Sequence, residues 1–367
     1  KWYLTSNWAK AGNATEGHTT IQSGVTIDNI AQRYISGSLS SNGTATNSSV
    51  TATNAILNGD IVGGDGHKGA SDNIVELTDH TKVSRSVIGG RVQDNVGGND
   101  AALYNRVSMS GSTAYEVRGG YTLYGNAIHN QVFLEANSIV SGLCSGGYTS
   151  SGTADSNEVH LNSSSASVVF GGGDYILQKG DVLNNIVTLE NGSNASSVYG
   201  GFTLQGNADG NKVTGSDSSI SFAVYGGWGT TGASNNKVEL DNVTVSGTVT
   251  GGKTDSGDAS ANTVILSRGT TYSYDLYAGY TDDGDAISNT LKLTDISQEV
   301  YDIYSKRTGW RRCDTHKQSC GQCLRWQNGR WCCQWQHSEG NRRYYYRRQR
   351  LRRSGNHWSF LQHGGSG

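Results

Sequence analysis

Four cysteines and a histidine crowd into one stretch near the C-terminus, where Cys320 and Cys323 form a C-x-x-C pair and Cys332, Cys333 and His337 follow. Thiolates and an imidazole at that spacing are the donor set of a zinc site. Directly after them, residues 342–353 (RRYYYRRQRLRR) set arginines beside tyrosines, the composition of a nucleic-acid patch. Asp and Gly alternate at residues 63–72 (GGDGHKGASD) and 281–286 (TDDGDA), as they do in calcium-binding turns. Their Asp residues do not recur at the nine-residue period of calcium-binding solenoids, so both read as simple acidic turns. Asp282, Asp283 and Asp285 then form a solvated loop rather than an acid/base pair. His18, His67, His80, His129 and His160 share no spacing and read as surface residues, and no G-x-S-x-G elbow joins a strand to a helix. Nothing outside the tail converges as nucleophile, base or metal ligand, so the expectation is no enzyme, no metal and no cofactor.

What would position such residues is a repeat. A Gly-Gly step, a further Gly, Ala-x-x-Asn and then Val-x-Leu recur, as in VYGGFTLQGNADGNKV at residues 198–213. The Asn of successive copies are Asn73, Asn105, Asn130, Asn157, Asn185, Asn211, Asn236, Asn262 and Asn289, with Val182 standing in for the Ala before Asn185. The second Gly of each step is read at Gly64, Gly90, Gly120, Gly147, Gly173, Gly201, Gly227, Gly252 and Gly279. The period is about 27 residues, within the range of solenoids. Degenerate copies continue upstream around Gly12 and Gly43.

Val-x-Leu alternates with polar residues and predicts a strand with one buried face. A second strand carries the Gly-Gly step, flanked by Tyr199, Phe202, Tyr225 and Trp228, and Gly125, Gly206, Gly257 and Gly284 mark the turn after it. Each copy holds too few apolar residues to close a core alone, so copies must stack and share one. Asn tolerates left-handed backbone and bonds through its side chain, so the nine Asn are expected to align at one corner, either stacked as a ladder or, more simply, as solvent-facing turn residues, a structural role in both cases. The fold expected is all-β, a parallel β-solenoid of short, regular loops.

Composition agrees. Fifty-one Gly, no Pro, one Met and 34% apolar residues disfavour helices and suit a thin core along a rod. No apolar run is long enough to span a membrane. The N-terminus (KWYLTSNWAKAG) lacks an apolar signal core, and the repeat is under way by Gly12, so the chain reads as a fragment.

Charge divides the chain in two. Residues 1–304 hold 15 Lys/Arg against 29 Asp/Glu, a net of −14, and residues 305–367 hold 14 against 2, a net of +12. Of six cysteines only Cys144 lies in the first part, and a nearly cysteine-free repetitive body is typical of proteins threaded through membranes before folding. Residues 1–304 are accordingly read as solenoid and 305–367 as an aberrant basic tail. An out-of-frame reading explains that tail. Trp has the single codon TGG, so a shift of one nucleotide turns every Trp into Gly, Cys into Val or Ala, and a Gln before Trp or His into Asn or Ser. Across residues 323–336 the shift forces Val or Ala at Cys323, Gly at Trp326 and Trp331, Val or Ala at Cys333 and Asn or Ser at Gln336. With Tyr permitted at Leu324 and Gly at Arg325, the spacing of the unit at 198–211 returns. The tail is therefore expected to be disordered or misfolded, with neither a selected zinc site nor specific nucleic-acid binding.

The units VYGGFTLQGNADGNKV, VRGGYTLYGNAIHNQV and LYAGYTDDGDAISNTL resemble the repeats of passenger domains of bacterial autotransporters, over about residues 12–304. The resemblance implies a right-handed parallel β-helix displayed outside the outer membrane of a Gram-negative bacterium, adhesive or engaged in aggregation and biofilm. The partners it implies are host matrix, glycans or neighbouring cells. A structural spacer of the cell surface is the alternative, and a polysaccharide-degrading β-helix, which needs clustered charges and long irregular loops, is disfavoured.

Overall fold

A computed structural model describes residues 3–27, 34–93, 100–175 and 179–296, and five short backbone strands beyond them. One turn shows the plan. Ala127–Ile128 is a two-residue strand, the chain bends at His129, Gln131–Glu135 carries the Val-x-Leu pattern, the chain turns at Ala136 and Asn137, and Ile139–Thr149 carries the Gly-Gly step. Each strand lies in parallel register on its copies in the turns before and after: Ala127 between Ala102 and Ala154, Val132 between Val107 and Val159, Gly147 between Gly120 and Gly172. About ten such turns form one parallel β-solenoid, which at ~4.8 Å per turn makes a rod roughly 50 Å long. No helix occurs among the described residues, and so none is long and apolar enough to cross a membrane.

The Val-x-Leu strands alternate buried and open residues as their sequence requires, for example with Val132 and Leu134 buried and Gln131 and Phe133 partly exposed. Their inward side chains join those of the Gly-Gly strands in one core that runs from Ile21 to Leu293. No single turn contributes enough to stand alone, since each buried Val or Leu is worth about 1.5–3 kcal/mol against the entropy of ordering some 27 residues.

The stack is already under way at Tyr3–Ala9, which pairs with Tyr34–Ser40. Two details differ from expectation. In the GGG run it is Gly172, not Gly173, that stands in register with Gly147 and Gly201. Gly173 instead faces Phe202 with a φ of 81°, where the strand leaves the face. The loops are not uniformly short: successive ladder Asn lie 32 residues apart from Asn73 to Asn105 but 25 from Asn105 to Asn130. The extra residues fall between Lys82–Val92 and Ala102–Leu103, at the corner that follows the Gly-Gly strand.

Beyond residue 296, Cys313–His316 lies parallel to Thr290–Thr294. Leu324–Gln327 with Arg330–Cys333 and Leu351–Ser354 with His357–Phe360 are antiparallel, a pairing absent from the described solenoid. The rest of the tail, including His337 and residues 342–350, and the side chains of its cysteines lie outside the described residues. The expectation there, of a disordered or misfolded tail with neither a selected zinc site nor specific nucleic-acid binding, falls outside them too.

Candidate functional site

The nine Asn singled out by the repeat all stand in one buried column at the corner before the Val-x-Leu strand. Asn130 is representative. Its Nδ2 donates to the Ala102 carbonyl at 2.9 Å and to Asn157 Oδ1 at 3.0 Å, while its Oδ1 accepts the backbone N–H and the Nδ2 of Asn105 at 3.1 and 2.9 Å. Every donor and the acceptor of the amide are thereby used, turn after turn. The left-handed residue of the corner is not the Asn but the one before it: Tyr104, His129, Ser156, Asn184, Asn235, Ala261 and Ser288 all have φ between 54° and 58°. The ladder Asn supplies the hydrogen bonds and its predecessor supplies the bend.

The Gly-Gly step exists because of this column. A Cβ on Gly64, Gly90, Gly120, Gly147, Gly172, Gly201, Gly227, Gly252 or Gly279 would collide with the amide of the ladder Asn of the same turn. A Cβ on the first Gly would strike the carbonyl of the next turn, Gly119 against Gly146 and Gly251 against Ala278. Upstream the two positions trade volume. Ser38 stands in register with Gly64, and Ser48 occupies the ladder position and donates to Ser38 Oγ at 2.7 Å. In the first turn Asn7 stands opposite Ser38 and donates to the Thr15 carbonyl at 2.7 Å, while Gly17 fills the ladder position. Small beside large, middle beside middle, large beside small: the strand and the corner share one fixed volume.

A second ladder escaped the sequence reading. Thr81, Ser112, Ser138, Ser164, Ser193 and Thr270 lie buried at the corner after the Val-x-Leu strand. The Oγ of Ser138 accepts the Ser112 N–H at 3.3 Å and donates to the Glu135 carbonyl at 2.7 Å, and Ser164 repeats the pattern. The signal was present as a hydroxyl seven or eight residues after most of the Asn, interrupted after Asn236 where Val243 takes the place. Eight goes with two left-handed residues, as at Ala136 and Asn137, and seven with one, as at Ser163.

Both ladders are sealed from solvent, so any contact with a partner falls to outward side chains, and the richest set lies outside the Gly-Gly strand. Asp65, fully buried, binds Arg91 through Nη2 at 2.7 Å and Nε at 3.2 Å, accepts the Tyr34 hydroxyl, and so is no solvated turn residue. Burial works against the Arg91 charge, yet attraction and hydrogen bonding to Asp65, with Tyr34 and Asp60 behind them, raise its pKa. Arg118 binds Glu116 at 2.8 Å and Asp174 at 3.1 Å and lies 4.7 Å from the Tyr148 ring centroid. Next come stacked rings, Phe170 on Tyr199 on Tyr225, with centroids 4.9 and 5.1 Å apart. Lys253 then lies 3.5 Å above Trp228. Desolvation raises Tyr199 and pushes Tyr225 up to about 12, with a further push on Tyr225 from Tyr199 and Asp275. Desolvation lowers Lys253, opposed by Asp255 and Asp282.

Most of this row is itself buried, Asp65, Arg118, Asp174, Phe170 and Tyr199 included, and its partly exposed end is Tyr225, Trp228, Lys253 and Tyr280, an arrangement of ring edges beside one ammonium. Among the described residues no group of three or more His, Cys, Asp and Glu could hold a metal. His129 stacks on Tyr104 with centroids 5.1 Å apart, and His160 bonds Glu190 at 3.0 Å, each apart from the other histidines of the sequence reading. No family model, curated protein or solved structure matches the chain.

Proposed function

We propose that this chain is the rod of a Gram-negative autotransporter passenger domain, displayed at the cell surface for adhesion, aggregation or biofilm contact, and without catalysis. The observation that carries the reading is the Asn–Gly column. A repeat whose buried amide is satisfied only by another copy of itself builds a long, stiff rod from residues 1–304, which hold one cysteine, a form suited to threading through membranes unfolded and folding outside. The partly exposed end of the row, Tyr225, Trp228, Lys253 and Tyr280, gives such a rod something to touch with. In this reading the tail is an out-of-frame translation, which the nucleotide sequence around codons 300–320 tests directly: a shift of frame there restores Gly-Gly and Asn at repeat spacing.

The functional test applies the purified full chain to matrix proteins, glycans and bacterial cells. Saturable binding to any of them is expected. Failure to bind all three would favour the structural spacer.

A further inference from the structure

One ring of the chain already sits on the stacked row as a ligand would. Tyr175, 43% exposed, lies at right angles to Phe170 and Tyr199 and at 74° to Phe202, with centroids 4.8, 5.4 and 5.1 Å away, and its hydroxyl donates to Tyr199 Oη at 2.7 Å. It rests against ring edges because the faces are taken: Tyr199 and Tyr225 stack at 11°. Edge-on contact plus one hydrogen bond is how this surface holds a flat, hydroxylated ring.

The same columns continue beyond Tyr175. Tyr225 and Trp228 are partly exposed, with centroids 5.0 Å apart at 43°. Trp228, Lys253 and Tyr280 stand in register on successive turns. Tyr280 donates to Asp282 Oδ1 at 2.6 Å, and Asp282 and Asp255 both act on Lys253. Among the described residues no ring covers this part of the row as Tyr175 covers its neighbour. The seat has more polar groups than the one Tyr175 fills: an ammonium, a phenol and carboxylates beside the rings. A phenol brings a single hydroxyl to them, one donor and one acceptor site. A pyranose, with an apolar face and several hydroxyls, engages several.

We propose that Tyr225, Trp228, Lys253, Tyr280 and Asp282 bind a neutral oligosaccharide, seating a sugar ring against the row as Tyr175 seats its own phenol. The site rests on the surface-contact reading above and gives it a ligand class. Charge selects neutrality: the carboxylates of Asp255, Asp275 and Asp282 all act electrostatically on the groups of the seat, its one ammonium is already held over Trp228, and the solenoid's net of −14 repels sulfated or nucleic polyanions.

The test screens the full chain against immobilised neutral oligosaccharides of glucose, galactose, mannose and N-acetylglucosamine, with heparin and a tyrosine-rich peptide alongside, and then titrates the best neutral probe by calorimetry. A neutral probe should bind, Trp228→Ala and Asp282→Asn should each weaken it at least tenfold, and Tyr104→Ala, exposed at a different corner, should leave it unchanged. Asp282 is exposed, so its variant answers even where Trp228→Ala unfolds the rod. The proposal is overturned by a neutral probe that ignores both substitutions, by heparin or the peptide binding instead, or by no neutral probe binding. If cell or matrix contact persists in both variants, the contact reading survives that failure. If the full chain touches nothing, that reading falls as well.

Discussion

The reciprocity of Gly120 and Asn130 makes a quantitative claim about two residues. Placing Ser at position 120 drives a side chain into a buried amide and should cost about 3 kcal/mol or more. Asn130→Ser alone removes the donors to Ala102 and Asn157 and opens a void, at about 2–4 kcal/mol. Together the two substitutions recreate the Ser38–Ser48 pair, so the double variant should be less destabilised than the sum of the singles by at least about 1 kcal/mol. Urea unfolding of the four proteins measures this, and additivity would contradict it. The bend residue makes a second claim. Ala261 holds a φ of 55°, where Asn or Gly serves in other turns, so Ala261→Gly should raise stability by about 0.5–1 kcal/mol. The row of Asn was legible in the sequence because it recurs. That each Asn fills the space its glycine leaves was not, because spacing reports position and not which side chains meet.

At the scale of the element, the two strands behave differently under sequence reading, and for a physical reason. Inward positions of the Val-x-Leu strand meet the same environment in every turn, so Val132 and Val159 repeat and the strand is readable. Outward positions beside the Gly-Gly step run Arg118, Ser145, Phe170, Tyr199, with no period to find, and the candidate site was visible only as scattered aromatics. The hydroxyl ladder was hidden by a turn that changes length by one residue. The stacked tyrosines carry a pH signature. Burial raises Tyr199 and Tyr225 above the ordinary phenol value of about 10. Above that pH the unfolded chain loses protons the folded chain keeps, so stability is level below pH ~10 and falls as pH rises toward 12. Denaturant midpoints from pH 9 to 12 should trace that fall, and Tyr225→Phe should make it shallower. An identical slope in the variant would show that the stack is not desolvated.

For the molecule as a whole, the parallel register means that sequence separation converts into length at a fixed rate, which no ordinary globular arrangement of this chain would reproduce. Asn54, Asn137 and Asn242 are exposed at the same corner of different turns, the corner where Asn54 bonds to Thr78, Asn137 to Ser163, and Asn242 through its side chain to Asp217. Spin labels introduced there through non-natural amino acids, which leaves the cysteines untouched, report the distances by double electron–electron resonance. At ~4.8 Å per turn, the four steps from Asn137 to Asn242 should give roughly 19 Å and the seven from Asn54 to Asn242 roughly 34 Å. Narrow distributions in that proportion are the predicted result. Distances that do not grow with the number of turns, or a 54–242 separation no longer than 137–242, would contradict the solenoid and everything built on it.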